Sequence, residues 1–110
     1  MADFAIKQND THPPLEVVLS DLDGPIDLTT ATSVWLMMRG QKRTGAVSVT
    51  GQALVVPPAT DGFVIYEWIP LDTAVADLYN AEFEIRWGDG SVQTVPNSGY
   101  FYVDVQDDLG

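Results

Sequence analysis

The chain has 110 residues, 45% of them hydrophobic and 19% charged, which is the balance of one globular domain and not of a disordered segment. It contains no cysteine, which excludes disulfides, thiolate metal sites and a cysteine nucleophile. Its 16 acidic and 5 basic side chains give a net charge of -11, which argues against a nucleic-acid partner, because a phosphate backbone calls for a cationic face.

The opening "MADFAIKQND" lacks the basic flank and apolar centre of a signal peptide, and no apolar run approaches the ~18 residues of a membrane span. The chain is therefore expected to be soluble and complete from Met1, with no membrane partner and assembled in a reducing cytoplasm. "FAIKQ" reads as a first short strand. "THPP" then leads into "PLEVVLSDL", with prolines that cannot donate to a ladder and so mark an edge. "DGPIDLTTA" is turn-rich. "SVWLMMRG" is a central strand, with Val34, Leu36 and Met38 on one face and Trp35, Met37 and Arg39 on the other.

"AVSVTG" and "QALVVPP" read as two short strands turning at Gly51. "GFVIYEWIP" alternates, with Tyr66 and Trp68 sharing a face opposite Phe63, Ile65 and Ile69. "PLDTAVADLY" is spaced for one or two helical turns, capped by Asp72 or Thr73. "YNAEFEIRWGDG" sets Phe83, Ile85 and Trp87 against Glu82, Glu84 and Arg86, the signature of a half-buried antiparallel strand. Its "GDG" favours a tight hairpin turn into "SVQTV". "YFYVDV" closes the domain, and a frayed tail is expected from about residue 106.

Seven to nine short strands at even spacing predict an all-β chain, a single domain over 1–110 built as a sandwich or small barrel. An immunoglobulin-like antiparallel β-sandwich without a disulfide is favoured for two reasons. Trp35 lies mid-strand, where such folds place a core tryptophan. Tyr79 opens its strand after a turn, where a tyrosine corner would bond its hydroxyl to upstream backbone.

Residues that could carry chemistry are few. His12, the sole histidine, sits in a proline-rich loop with no nucleophile elbow anywhere in the chain. Asp21, Asp23 and Asp27 faintly suggest a calcium loop, but the terminal glutamate of such a loop is missing and turn formation accounts for them better. Glu82 and Glu84 fall on one face of one strand, whereas a glycosidase needs two carboxyls facing each other across a cleft. The sequence thus predicts no enzyme, no cofactor and no metal. Candidate interface residues are the cations Arg39, Lys42 and Arg43 in "RGQKRTG", a positive spot on an acidic chain suited to contact between subunits. To these are added Tyr66 and Trp68, if their face of the strand is the outer one.

The segments "YEWIPLDT", "YNAEFEIRWGDG" and "VQTVPNSGY" carry a family pattern through Tyr66, Trp68, Pro70, Asp72, Thr73, Tyr79, Glu82, Trp87, Asp89, Gln93, Pro96 and Tyr100. In these segments the chain resembles the N-terminal domain of phage baseplate upper proteins and its single-domain relatives. "FAIKQNDTHPPLEVVLSD" and "VWLMMR" match mainly in pattern. The resemblance implies an immunoglobulin-like sandwich located in a tailed-phage virion and no catalytic residues. It implies a capsid decoration or cement protein, or a small tail or baseplate adaptor, whose partners are the major capsid protein or tail and baseplate subunits, with self-association as a further possibility. The alternative expectation is a carbohydrate-binding module that stacks sugars on Tyr66 and Trp68.

Overall fold

A computed structural model describes residues 3–42 and 48–109. Ten strands lie along them: β1 Phe4–Lys7, β2 Leu15–Val18, β3 Ser20–Asp21, β4 Gly24–Pro25, β5 Ala31–Gly40, β6 Ser48–Val55, β7 Phe63–Tyr66, β8 Asp77–Trp87, β9 Val92–Val95 and β10 Phe101–Gln106. Eight of them form one continuous sheet in the order β1-β10-β8-β5-β6-β7-β2, with β9 also paired to β8, while β3 and β4 form a separate small hairpin. The sheet folds over on itself into two layers, a β-sandwich that comes close to closing as a barrel. The fold occurs at β6, which pairs with β5 from Ser48 to Ala53 and with β7 at Leu54 and Val55.

The expected all-β, two-layer architecture is therefore present, with one departure from a purely antiparallel sheet. β1 runs parallel to β10, Phe4 opposite Val103 through Lys7 opposite Gln106. The strand parity expected for β5 and β8 also holds. Val34, Leu36, Met38, Phe83, Ile85, Val103 and Val105 are buried between the layers. The second strand covers only part of Pro14–Leu22, and the helical reading of "PLDTAVADLY" reduces to a single 3-10 turn at Pro70–Thr73.

Two expectations are corrected. The hairpin predicted at Gly51 does not exist: β6 runs straight through it, and Gly51 faces the ring of Tyr66. A Cβ at this position would collide with the Tyr66 hydroxyl and ring, so the glycine makes room for a neighbour and does not turn the chain. Trp35 is not a core residue. Its neighbours Val34 and Leu36 point inward, which places Trp35 on the outer face. There its Nε1 donates to Ser33 Oγ at 2.9 Å and its ring lies 4.8 Å under the Arg86 guanidinium.

The tyrosine corner is present. Tyr79 is fully buried, and its hydroxyl donates to the Val75 carbonyl at 2.7 Å. The hydrogen bond fixes the entry into β8, the strand that pairs with β5, β9 and β10.

Candidate protein-interaction surface

The buried polar groups hold loops in place. Asp72 accepts from the Tyr66 hydroxyl at 2.7 Å and from the Ile69 amide at 3.0 Å, which pins the 3-10 turn onto the end of β7. Burial raises the Tyr66 hydroxyl above its usual titration range, and the hydrogen bond to Asp72 and the negative charge of Asp72 add to the rise. Thr73 Oγ1 donates to the Asp10 carbonyl at 2.8 Å, and Gln8 Nε2 to the Ala74 carbonyl at 2.7 Å, tying the same turn to the segment after β1. Asp77, also buried, accepts from the amides of Lys42 and Leu78.

Tyr66 and Trp68, expected on an outer face, are instead buried at 5% and 4% exposure. Both faces of β7 carry large apolar side chains, so alternation alone cannot choose between them. The choice is made by Gly51, which opens space for the Tyr66 ring, and by Asp72, which satisfies its hydroxyl. Trp68 packs edge-on against Tyr66 with centroids 5.1 Å apart and stacks on Phe4 at 5.8 Å. Its Nε1 is buried without a hydrogen-bond partner among the described residues. Neither ring offers a face on which a sugar could stack. The exposed tyrosines are Tyr100 and Tyr102.

Of the predicted cationic spot, Arg39 and Lys42 are exposed at the end of β5 and just beyond it, whereas Arg43 lies outside the described residues. Glu84 pairs with Arg86 at 2.8 Å on the outer face of β8, and Glu82 lies two residues along the same strand, opposite Met37. Asp21 and Asp27 act as turn formers, accepting from the amides of Asp23 and Thr29 respectively. The hydrogen bonds from Thr29 hold the Asp27 carboxyl below the usual carboxylate range. His12 is exposed in its loop.

A feature that sequence reading missed is a cleft of about 740 Å³ at the open seam of the sandwich, between β2–β3 on one side and β9 on the other. Its floor is apolar, formed by Leu15, Val17, Phe83, Val95 and Phe101, with Phe83 and Phe101 stacked at 5.6 Å. Asp3, Glu16, Asp21 and Asp23 line it, and no lysine, arginine or histidine does so among the described residues. Val18 and Leu22, at 49% and 106% exposure, stand beside it. The one sequence signal for this seam was the Pro13–Pro14 pair in front of β2, which marks an edge but not what faces it.

No protein-family model matches the chain, and no curated protein sequence matches it.

Proposed function

We propose that this chain is a non-enzymatic structural protein of a tailed-phage virion, a capsid decoration or cement protein or a small tail or baseplate adaptor, working through contacts with other virion proteins. The apolar cleft at the seam carries the reading of a contact-making protein. It is an uncovered hydrophobic surface on a chain of net charge -11, the kind of surface that protein partners cover. The virion setting rests on the resemblance of the C-terminal half to phage baseplate upper protein domains. Several residues of that resemblance also have specific tasks in this fold: Tyr66 and Asp72 bond each other, Thr73 ties the turn to the N-terminal segment, and Tyr79 forms the corner. A rigid block of this kind, present in many copies on a symmetric shell, holds by avidity even when each contact is weak.

Quantitative mass spectrometry of purified particles tests the proposal. The chain is expected at a fixed copy number per particle, and a chain abundant in the lysate but absent from particles would overturn the virion reading. Replacing Arg39, Lys42 and Arg43 together with glutamate is expected to lower incorporation. Unchanged stoichiometry would reject a role for these cations in docking.

A further inference from the structure

We infer that the seam cleft is a strand-acceptor site. It would take an extended segment of a partner protein with alternating apolar side chains flanked by lysine or arginine, added to the free edge of β2. The inference rests on the reading of this chain as a contact-making protein, but not on its place in a virion.

The backbone of β2 supplies the first argument. Among the described residues β2 pairs with β7 alone, Leu15 opposite Tyr66 through Val18 opposite Phe63. The same register continues to Leu19, whose amide donates to the Gly62 carbonyl at 2.8 Å. In an antiparallel ladder, hydrogen-bonded residues alternate with residues whose amide and carbonyl point away. Counting back from Leu19, residues Val17 and Leu15 bond towards β7. Glu16 and Val18 therefore direct their amides and carbonyls to the empty side. An added strand would satisfy these groups, as in strand-addition recognition of peptides.

The facing layer supplies the second. Among the described residues the layer holding β7 and β2 ends at β2, while the opposite layer continues through β9, β10 and β1. Phe101 and Val95 therefore remain only partly buried above the buried Phe83. A strand beside β2 would place every second side chain over this floor, and apolar side chains there would complete the sandwich.

Charge chooses the occupant. The cleft presents Asp3, Glu16, Asp21 and Asp23 with no cation among its described lining residues, on a chain whose net charge is -11. A second copy of so acidic a chain, pairing edge to edge, would set Glu16 near a like charge, which is the usual way an edge strand is protected from itself. A segment carrying lysine or arginine at its ends meets the opposite situation.

The test uses the full chain, labelled with nitrogen-15, and the capped peptide Lys-Lys-Val-Thr-Val-Thr-Val-Lys-Lys. The peptide is expected to shift the amides of Glu16 and Val18 and to slow their hydrogen exchange by about tenfold or more. Binding should weaken as salt is raised. The same peptide with glutamate for lysine, or with N-methylated alternate amides, should not bind. Val18→Pro removes an outward amide without touching the β7 ladder and should abolish binding. Should that variant fail to fold, Glu16→Lys with Asp23→Lys should weaken the lysine peptide at least several-fold. The inference is overturned by no shifts at saturating peptide, by shifts confined to another edge, or by equal binding of the glutamate peptide. Protection of Glu16 and Val18 in a dimer of the chain alone would also overturn it, by assigning the edge to a second copy. None of these outcomes depends on particle composition, so the seam and the virion reading fail separately.

Discussion

Replacing Tyr66 with phenylalanine removes one oxygen atom and, with it, a buried hydrogen bond to a carboxylate. The hydroxyl donates to Asp72 at 2.7 Å, with the tyrosine 5% and the aspartate 8% exposed. Hydrogen bonds to charged groups contribute roughly 1.5–3 kcal/mol, because losing one partner leaves the other desolvated. Asp72 keeps the amide of Ile69 as a second donor, so the expected loss at pH 7 is about 2 kcal/mol, in the middle of that range. The alkaline limb gives a second, sharper signature. The folded-state pKa of Tyr66 lies above its unfolded value near 10, with burial the largest cause. Its contribution is fully present below pH ~10 and is lost above that, since the unfolded chain then releases a proton that the folded chain retains. The wild type should lose up to about 1.4 kcal/mol per pH unit through this group, whereas the phenylalanine variant has no such proton. The stability gap should therefore narrow from about 2 kcal/mol at pH 7 towards zero between about pH 11 and 12. Urea unfolding of both proteins at several pH values measures it, and comparing the two cancels the titration of every other group. A gap under about 0.5 kcal/mol at pH 7, or one that stays constant through pH 11, would refute the account of this buried pair.

Gly51→Ala should cost about 1–3 kcal/mol, because the new methyl group displaces the Tyr66 ring. Combined with Tyr66→Phe it should cost less than the sum of the two, which a double-mutant cycle of urea midpoints will read. Trp35→Ala should cost only about 1 kcal/mol, the scale of a surface cation–π contact, whereas Trp68→Ala should cost about 3–5 kcal/mol as a core truncation. Equal losses in denaturant titrations would contradict the placement of Trp35 outside the core. Tyr79→Phe should lose about 1 kcal/mol with little change elsewhere in the fold, seen as a lower urea midpoint at constant slope.

The strands were most legible where one face is polar. In "EFEIRW" the alternation of Glu82, Glu84 and Arg86 with Phe83, Ile85 and Trp87 leaves one consistent register, and the structure adopts it. Tyr79 was legible because the corner is a local device: donor and acceptor are four residues apart in the chain. Gly51 is ambiguous in the sequence because a glycine inside a strand pattern has two meanings, a turn or a close approach. Only the position of the Tyr66 ring, on another strand, separates them.

Tyr66 and the seam show why the rest could not be read from local pattern. Phe63, Val64, Ile65 and Tyr66 are apolar on both faces, so inverting the strand would change little that is visible in a window of sequence. What decides the matter is a hydrogen bond to Asp72 across a 3-10 turn and a missing Cβ on β6, both set by tertiary placement. The cleft is one step further removed, because it belongs to the order of strands and not to any one of them. β2 is an edge because β7 is its sole ladder partner and the chain places no other strand beside it within the described residues. The apolar residues of its floor look like ordinary core positions in the sequence, and it is the extent of the opposite layer past β2 that leaves Val95 and Phe101 partly uncovered. A surface of this kind therefore carries no motif of its own. The strand-acceptor role we propose for it rests on unpaired backbone and uncovered apolar side chains lying side by side under an acidic rim.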